Sequence, residues 1–134
     1  MVPTVSIYRF IYVLVRDIFT SIRGDITTLI QDSRFVDNLP TTSEVVQSAF
    51  SFNDFGDYYG QRIRALYIAP ATGAYTFAIS GNNYVKLYLS TDSSAVNKNM
   101  IAEAKSWTGF GEYTKFPEQT SQQIQLVAGG RYCK

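Results

Sequence analysis

Apolar and polar side chains alternate with a period of two through two neighbouring segments, and this pattern restricts the fold more than any other feature. A large apolar residue stands at every second position between 75 and 79, and again between 85 and 89. Successive side chains of a β-strand point to opposite faces, so each segment is typical of a strand with one buried face. Gly-Asn-Asn at 81–83 favours a tight turn. The sequence therefore predicts a β-hairpin.

Other segments also have strand composition and are separated by turn residues at short intervals. Strands are predicted at 62–69, 99–104, 122–127 and from Arg131 onward, with a long loop at 105–121. Short strands with turn signals between them are typical of sandwiches and barrels. We expect an all-β chain: a single antiparallel β-sandwich or barrel-like domain, jelly-roll-like, with a short helix near its N-terminus.

The N-terminal third permits two interpretations. Apolar residues recur at helical spacing between positions 11 and 22, which favours an amphipathic helix over 11–23 that ends at Gly24. Residues 7–13 have equally good strand composition. A strand followed by a short helix is the expected order.

The composition restricts the chemistry. The chain has no histidine and one cysteine, Cys133, which removes the commonest general base and the Cys/His sets of zinc sites. Twelve basic and eleven acidic residues give a net charge of +1, without the basic stripe of nucleic-acid binders. A membrane-spanning helix needs about 20 apolar residues, and Arg9 and Arg16 interrupt the apolar run. We expect no catalytic activity, no nucleic-acid partner and no membrane span.

Several segments follow one another in a characteristic order. The central one, residues 57–77, contains Tyr-Gly, then Arg-x-Arg, then Pro-x-Thr-Gly-x-Tyr-x-Phe. The others stand at 32–35, 80–92, 97–102, 107, 117–121 and 126–132. This set resembles the lectin-like domain family named after the anthrax protective antigen, the PA-fourteen domain, over roughly residues 32 to 132.

The resemblance implies a β-sandwich module that binds sugars, in several members through calcium. Two adjacent aspartates of the hairpin loop hold the ion there, and a second loop near the C-terminus completes the site. Ca²⁺ takes about six to eight oxygen ligands, and a sugar diol supplies the last two. The aspartate pair falls on Asn82 and Asn83, whose neutral carbonyl oxygens hold a hard cation more weakly. Calcium is therefore the implied cofactor, weakly bound; a plain hairpin turn explains the two asparagines without it.

The family continues beyond the position that Lys134 matches, through a last strand, a glycine-rich ligand loop and a closing strand. The expected division is a divergent segment at 1–31, with a strand and short helix, and a protective-antigen-type β-domain at 32–134 that lacks those last strands.

The candidate ligand-binding residues are Asn82, Asn83, Tyr84 and Trp107, and the two asparagines are also the candidate metal ligands. Tyr and Trp offer a flat apolar ring with a polar handle, which suits stacking on sugar rings. Ordinary packing explains the two aromatic residues as well. Arg62 and Arg64 are expected to form a structural ion-pair face rather than a site for anionic sugars.

These features predict a non-catalytic carbohydrate-binding or adhesion module of a larger extracellular or cell-surface protein. Its partners would be glycans or cell-surface glycoconjugates, and other protein domains are a further class of partner. The alternative function is a structural spacer or protein-interaction module on the same scaffold, without the calcium and sugar site.

Overall fold

A computed structural model describes residues 4–5, 11–24, 26–46, 59–81, 84–109 and 111–133. Within these ranges, ten strands make up most of the regular structure: β1 (Thr4–Val5), β2 (Ile11–Thr20), β3 (Thr42–Val46), β4 (Tyr59–Ile68), β5 (Gly73–Tyr75), β6 (Ile79–Ser80), β7 (Val85–Ser90), β8 (Lys98–Ala104), β9 (Ile124–Leu126) and β10 (Arg131–Cys133). The two short helices are α1 (Ile26–Gln31) and α2 (Ser33–Val36), and 3-10 turns cover Ala95–Asn97 and Pro117–Gln119. Every strand pair is antiparallel among these residues. The fold is all-β, as predicted.

The largest sheet has four strands in the order β10-β4-β2-β3. β2 lies between β3 and β4, and Asp17 is opposite Ser43 on one side and Arg62 on the other. The remaining described strands form three pairs, β1-β6, β5-β9 and β7-β8.

The predicted helix over 11–23 is wrong, because 11–20 is strand β2. Leu14 and Ile18 are buried on one face of β2, and Phe19 is buried on the other. Burial on both faces places apolar residues at odd and even positions, which imitates helical spacing. The short helices come later in the chain, and Asp32 caps α2 by accepting a hydrogen bond from the Arg34 amide at 2.9 Å.

The predicted hairpin between 75–80 and 85–90 is also wrong in its pairing. The first segment is divided into β5, which pairs with β9, and β6, which pairs with β1. β7 pairs with β8, the strand that follows it. The burial pattern is as expected in part: Phe77 and Ile79 are buried and Thr76 is exposed, but Ser80, on the same face as Thr76, is fully buried. Alternation identified the buried face, but the ladder partner depends on strands distant in sequence.

Apolar side chains pack on both faces of the four-stranded sheet. On one face, Leu14 and Ala65 join the main core with Phe77 and residues of β7 and β8. On the other face, Phe19 packs with Leu29 of α1, and Phe35 of α2 packs against them. The two helices therefore cover one end of the sheet, opposite the main core. Among the described residues, no helix is long and apolar enough to cross a membrane.

Candidate functional site

Gly81, which directly follows β6, is joined to Thr108 in the loop after β8. The Thr108 amide donates to the Gly81 carbonyl at 3.0 Å, and the Gly81 amide donates to Thr108 Oγ1 at 2.7 Å. The same hydroxyl donates to the Gly81 carbonyl at 3.0 Å. Both residues are buried, so water competes little for these bonds. They fix Gly81 against the residue that follows Trp107.

Gln119 anchors the other end of this loop, which we call the tryptophan loop (residues 105–119, of which 110 is not described). Its side chain is fully buried. Gln119 Nε2 donates to the Ile79 carbonyl at 2.9 Å and the Glu112 carbonyl at 2.7 Å, while Oε1 accepts from the Phe116 amide at 2.8 Å. Both amide hydrogens and the acceptor are thus used. The loop lacks a sheet ladder but is tied to β6 by these bonds.

Trp107 presents its side chain to solvent at the start of the tryptophan loop, and the residue is 53% exposed. Lys115 Nζ lies 5.0 Å from the centroid of the Trp107 ring and 5.5 Å from that of Phe116. It also donates to the Trp107 carbonyl at 2.8 Å. Cation–π attraction and this hydrogen bond hold the ammonium group beside the indole. The exposed aromatic residue is therefore part of an ordered surface.

A tight turn in the tryptophan loop positions a carboxylate near the indole. The Glu112 amide donates to the Gly109 carbonyl at 3.0 Å, and Gly111 has a φ of 70°. Glycine adopts this left-handed conformation without the steric cost that a Cβ brings. Glu112 Oε1 accepts from the Gly109 amide at 3.2 Å, so this carboxylate serves the turn itself.

Of the four candidate residues, Tyr84 and Trp107 lie within the described residues. Asn82 and Asn83 lie outside the described residues, so their part in ligand or calcium binding stays a prediction. Tyr84 is half-buried and comes directly before β7. Trp107 is exposed, and the bonds between Gly81 and Thr108 bring its backbone close to Gly81, which precedes the other three candidates in the sequence.

Within the ranges described, no group of three or more Asp, Glu, His or Cys side chains is arranged to hold a metal ion. The candidate calcium ligands are outside those ranges, so the implied calcium site remains untested.

Arg62 and Arg64 each form an ion pair with Asp17 on the neighbouring strand β2. Arg62 Nε and Arg64 Nε each donate to Asp17 Oδ2 at 2.9 Å, and Ser43 Oγ donates to Oδ1 at 2.7 Å. Burial raises the pKa of the Asp17 carboxyl, but the hydrogen bonds from Ser43, Arg64 and Arg62 outweigh it and hold the pKa below its usual range. The register of β2 against β4 creates this cluster.

Three residues that shape the candidate surface were assigned no site role from the sequence: Lys115, Gln119 and Thr108. Lys115 follows Trp107 by eight residues within a segment that the sequence predicts to be a loop, so no strand or helix period relates the two side chains. The available signals were the density of aromatic residues in the loop and the place of Gln119 in the segment 117–121 of the resemblance. Their contacts depend on how the loop folds back on β6.

Comparisons with known proteins give one partial likeness. No family model matches the chain, and no solved structure matches it. A mouse protein, N-acetyl-beta-glucosaminyl-glycoprotein 4-beta-N-acetylgalactosaminyltransferase 1, is 31% identical over 78 residues, which are 55% of this chain and 8% of the transferase. The likeness therefore concerns a small part of that protein.

Proposed function

We propose that this chain is a non-catalytic glycan-binding module of the protective-antigen type, carried by a larger extracellular or cell-surface protein. Its binding surface is the tryptophan loop together with the turn at 81–84. The observation that carries the proposal is Trp107, an exposed indole on a loop that hydrogen bonds fix at both ends.

Two free-energy terms favour sugar binding at Trp107: the burial of its exposed ring and the order of its loop before binding. An exposed indole forgoes the free energy of burial, and stacking on the apolar face of a sugar recovers part of it. A surface that is ordered before binding loses less conformational entropy when a ligand arrives. Thr108 and Gln119 supply this order beneath Trp107.

The mouse transferase supports a glycan partner, because its name describes an enzyme that acts on an N-acetyl-beta-glucosaminyl glycoprotein. The chain spans only 8% of that enzyme, so we carry over the class of ligand and not the transfer reaction. Glycoproteins with terminal N-acetyl-β-glucosamine are the first ligands to test.

A glycan array probed with the purified chain, followed by calorimetry on any hit, tests the proposal. We expect Trp107→Ala to raise the Kd by about thirtyfold or more, because truncating an aromatic anchor costs about 2 kcal/mol or more. The variant should keep the wild-type melting temperature, since the residue it truncates is 53% exposed.

Val96→Ala is the matched control. Val96 is 90% exposed and lies in the 3-10 turn before β8, so its truncation should leave binding unchanged. Absence of binding to every glycan would reject the proposal and favour the alternative, a spacer or protein-interaction module. Equal affinity of wild type and Trp107→Ala would place the glycan site elsewhere.

The weak calcium site that the resemblance implies is tested separately by thermal melts with calcium and with a chelator. A ligand that binds only the folded state stabilises it, by about 2.7 kcal/mol at a concentration of about one hundred times Kd. A calcium-dependent rise that Asn82→Ala abolishes would support ligation at the turn, and identical melts would exclude calcium as the cofactor.

A further inference from the structure

Lys115 carries a positive charge beside the exposed indole, and among the described residues it has no ion-pair partner. Its Nζ lies over both Trp107 and Phe116 and makes one hydrogen bond, to the Trp107 carbonyl. An ammonium group has three N–H donors. Lys115 is exposed, and the two rings hold its ammonium group beside the indole, where an anion can approach it.

Two carboxylates of the same region make contacts other than an ion pair with Lys115. Glu112 directs Oε1 to the Gly109 amide at 3.2 Å, and Glu103 pairs with Lys105 at 3.7 Å. No carboxylate of the described residues forms an ion pair with Lys115. The charge beside the indole is therefore available to a ligand.

An exposed indole, with an ammonium group beside it that forms no ion pair among the described residues, suits a particular class of sugar. The indole suits the apolar face of a sugar ring. The ammonium suits a carboxylate or sulfate group on the same or the adjacent sugar, because a charge-assisted hydrogen bond is stronger than a neutral one.

We propose that Trp107 and Lys115 form a subsite for acidic glycans, with the sugar ring against the exposed part of the indole and its anionic group on the Lys115 ammonium. This inference rests on the proposed glycan-binding function and adds the charge class of the ligand. Carboxylated sugars, such as sialic and uronic acids, and sulfated sugars share the required anionic group.

The test compares matched acidic and neutral glycans on the wild-type chain, Lys115→Gln and Lys115→Arg. We expect wild type to bind the acidic glycan more tightly than its desialylated, carboxyl-reduced or desulfated counterpart. Lys115→Gln should weaken acidic binding by about tenfold or more and leave neutral binding unchanged, as loss of one charge-assisted hydrogen bond requires. Lys115→Arg keeps the charge and should retain most of the preference.

Lys105→Gln is the matched control, because it removes the same charge from the same loop at a lysine that already pairs with Glu103. It should leave the preference intact. Raising the ionic strength from about 0.01 to about 1 M shortens the Debye length from about 30 to about 3 Å. We expect it to weaken binding of the acidic glycan more than that of the neutral one.

The outcomes distinguish a failure of the acidic subsite from a failure of the proposed glycan-binding function. Equal affinity for acidic and neutral glycans, with both lost in Trp107→Ala, would overturn the acidic subsite and keep the glycan-binding function. An equal loss for Lys105→Gln and Lys115→Gln would also overturn it, since net charge alone would then explain the preference. Absence of any glycan binding would overturn both. A comparison of the affinities for the carboxylated and the sulfated glycans identifies which anionic group the subsite prefers.

Discussion

At the scale of single residues, Asp17 holds the centre of the four-stranded sheet together. Its carboxylate is fully buried and accepts hydrogen bonds from Ser43, Arg62 and Arg64, which lie on the two neighbouring strands. Arg62 also lies 5.4 Å from the ring centroid of Phe19 and 5.0 Å from that of Phe35. The ion pair and the cluster beneath the helices therefore share one arginine.

Asp17→Asn should lower the free energy of unfolding by about 2–4 kcal/mol. Breaking a buried ion pair costs about 3–5 kcal/mol, and the solvent exposure of Arg64 reduces this figure. Urea unfolding of both proteins measures the difference. Glu44→Gln is the control, because the side chain of Glu44, which pairs with Arg16, is 51% exposed and such pairs contribute only about 0–1 kcal/mol. Equal losses in the two variants would contradict the prediction.

The contribution of Asp17 should depend on pH. Its pKa in the folded chain lies below the usual value of 3.8, so the unfolded chain binds this proton first as the pH falls. The stabilisation is then complete above the unfolded pKa and is lost as the pH falls through the folded pKa. The stability difference between wild type and Asp17→Asn should be constant between about pH 5 and 8 and shrink below about pH 4. A difference unchanged into that acid range would mean that the ionised carboxylate is not the stabilising form.

At the scale of elements, the close approach of α1 to β4 depends on the absence of a side chain at one position. A Cβ on Gly60 would lie 2.6 Å from Leu29 Cδ1 and 2.8 Å from Leu29 Cδ2. Leu29 is 2% exposed, so its side chain has little room to move away. Glycine at this point of β4 lets the helix lie directly on the sheet.

Gly60→Ala should destabilise the chain by about 1–3 kcal/mol, the usual cost of overpacking a core. A thermal or urea melt measures it, with Gly73→Ala as the control. A Cβ on Gly73 meets no atom within 4 Å, so that variant should unfold like wild type or be slightly more stable. In Leu29→Ala, which removes the clashing atoms, the added cost of Gly60→Ala should largely disappear; an undiminished cost would contradict the packing argument.

At the scale of the whole molecule, the four-stranded sheet joins distant parts of the sequence. β2 precedes residue 32 and pairs on one side with β3 and on the other with β4. Its removal would leave the Arg62 and Arg64 side chains without Asp17 and expose both sheet faces around Phe19 and Leu14. The proposed division at residue 31 can therefore be tested by deletion.

A chain that begins at residue 32 should fail to unfold cooperatively, because it lacks the strand between β3 and β4. Circular dichroism and a thermal melt distinguish this outcome from an independently folded domain. A chain that lacks only residues 1–3, which precede β1, should melt like the full chain. A cooperative melt of the 32–134 fragment would show that the later segment forms a domain without β2.

The sequence by itself determined the class of the fold and the main buried positions. Period-two alternation placed Phe77, Ile79, Leu87 and Leu89 in the core, since the side chains of a strand must alternate between its faces. The same logic failed for β2, because a strand buried on both faces loses its alternation. The local pattern identifies the buried face of a strand that has one, and it does not identify a strand that is buried on both faces.

Only the tertiary structure decided which strands pair and which residues form the candidate site. The partner of β6 is β1, and the acidic partner of Arg62 and Arg64 is Asp17 on β2; both pairings cross long stretches of chain. Trp107 was recognised in the sequence as a candidate, but its cation Lys115 and its anchor Gln119 were not. Lys115 is held by a hydrogen bond to the Trp107 carbonyl within the loop, and Gln119 by one to the Ile79 carbonyl of β6. No sequence period encodes such contacts, because each is satisfied only after the chain has folded.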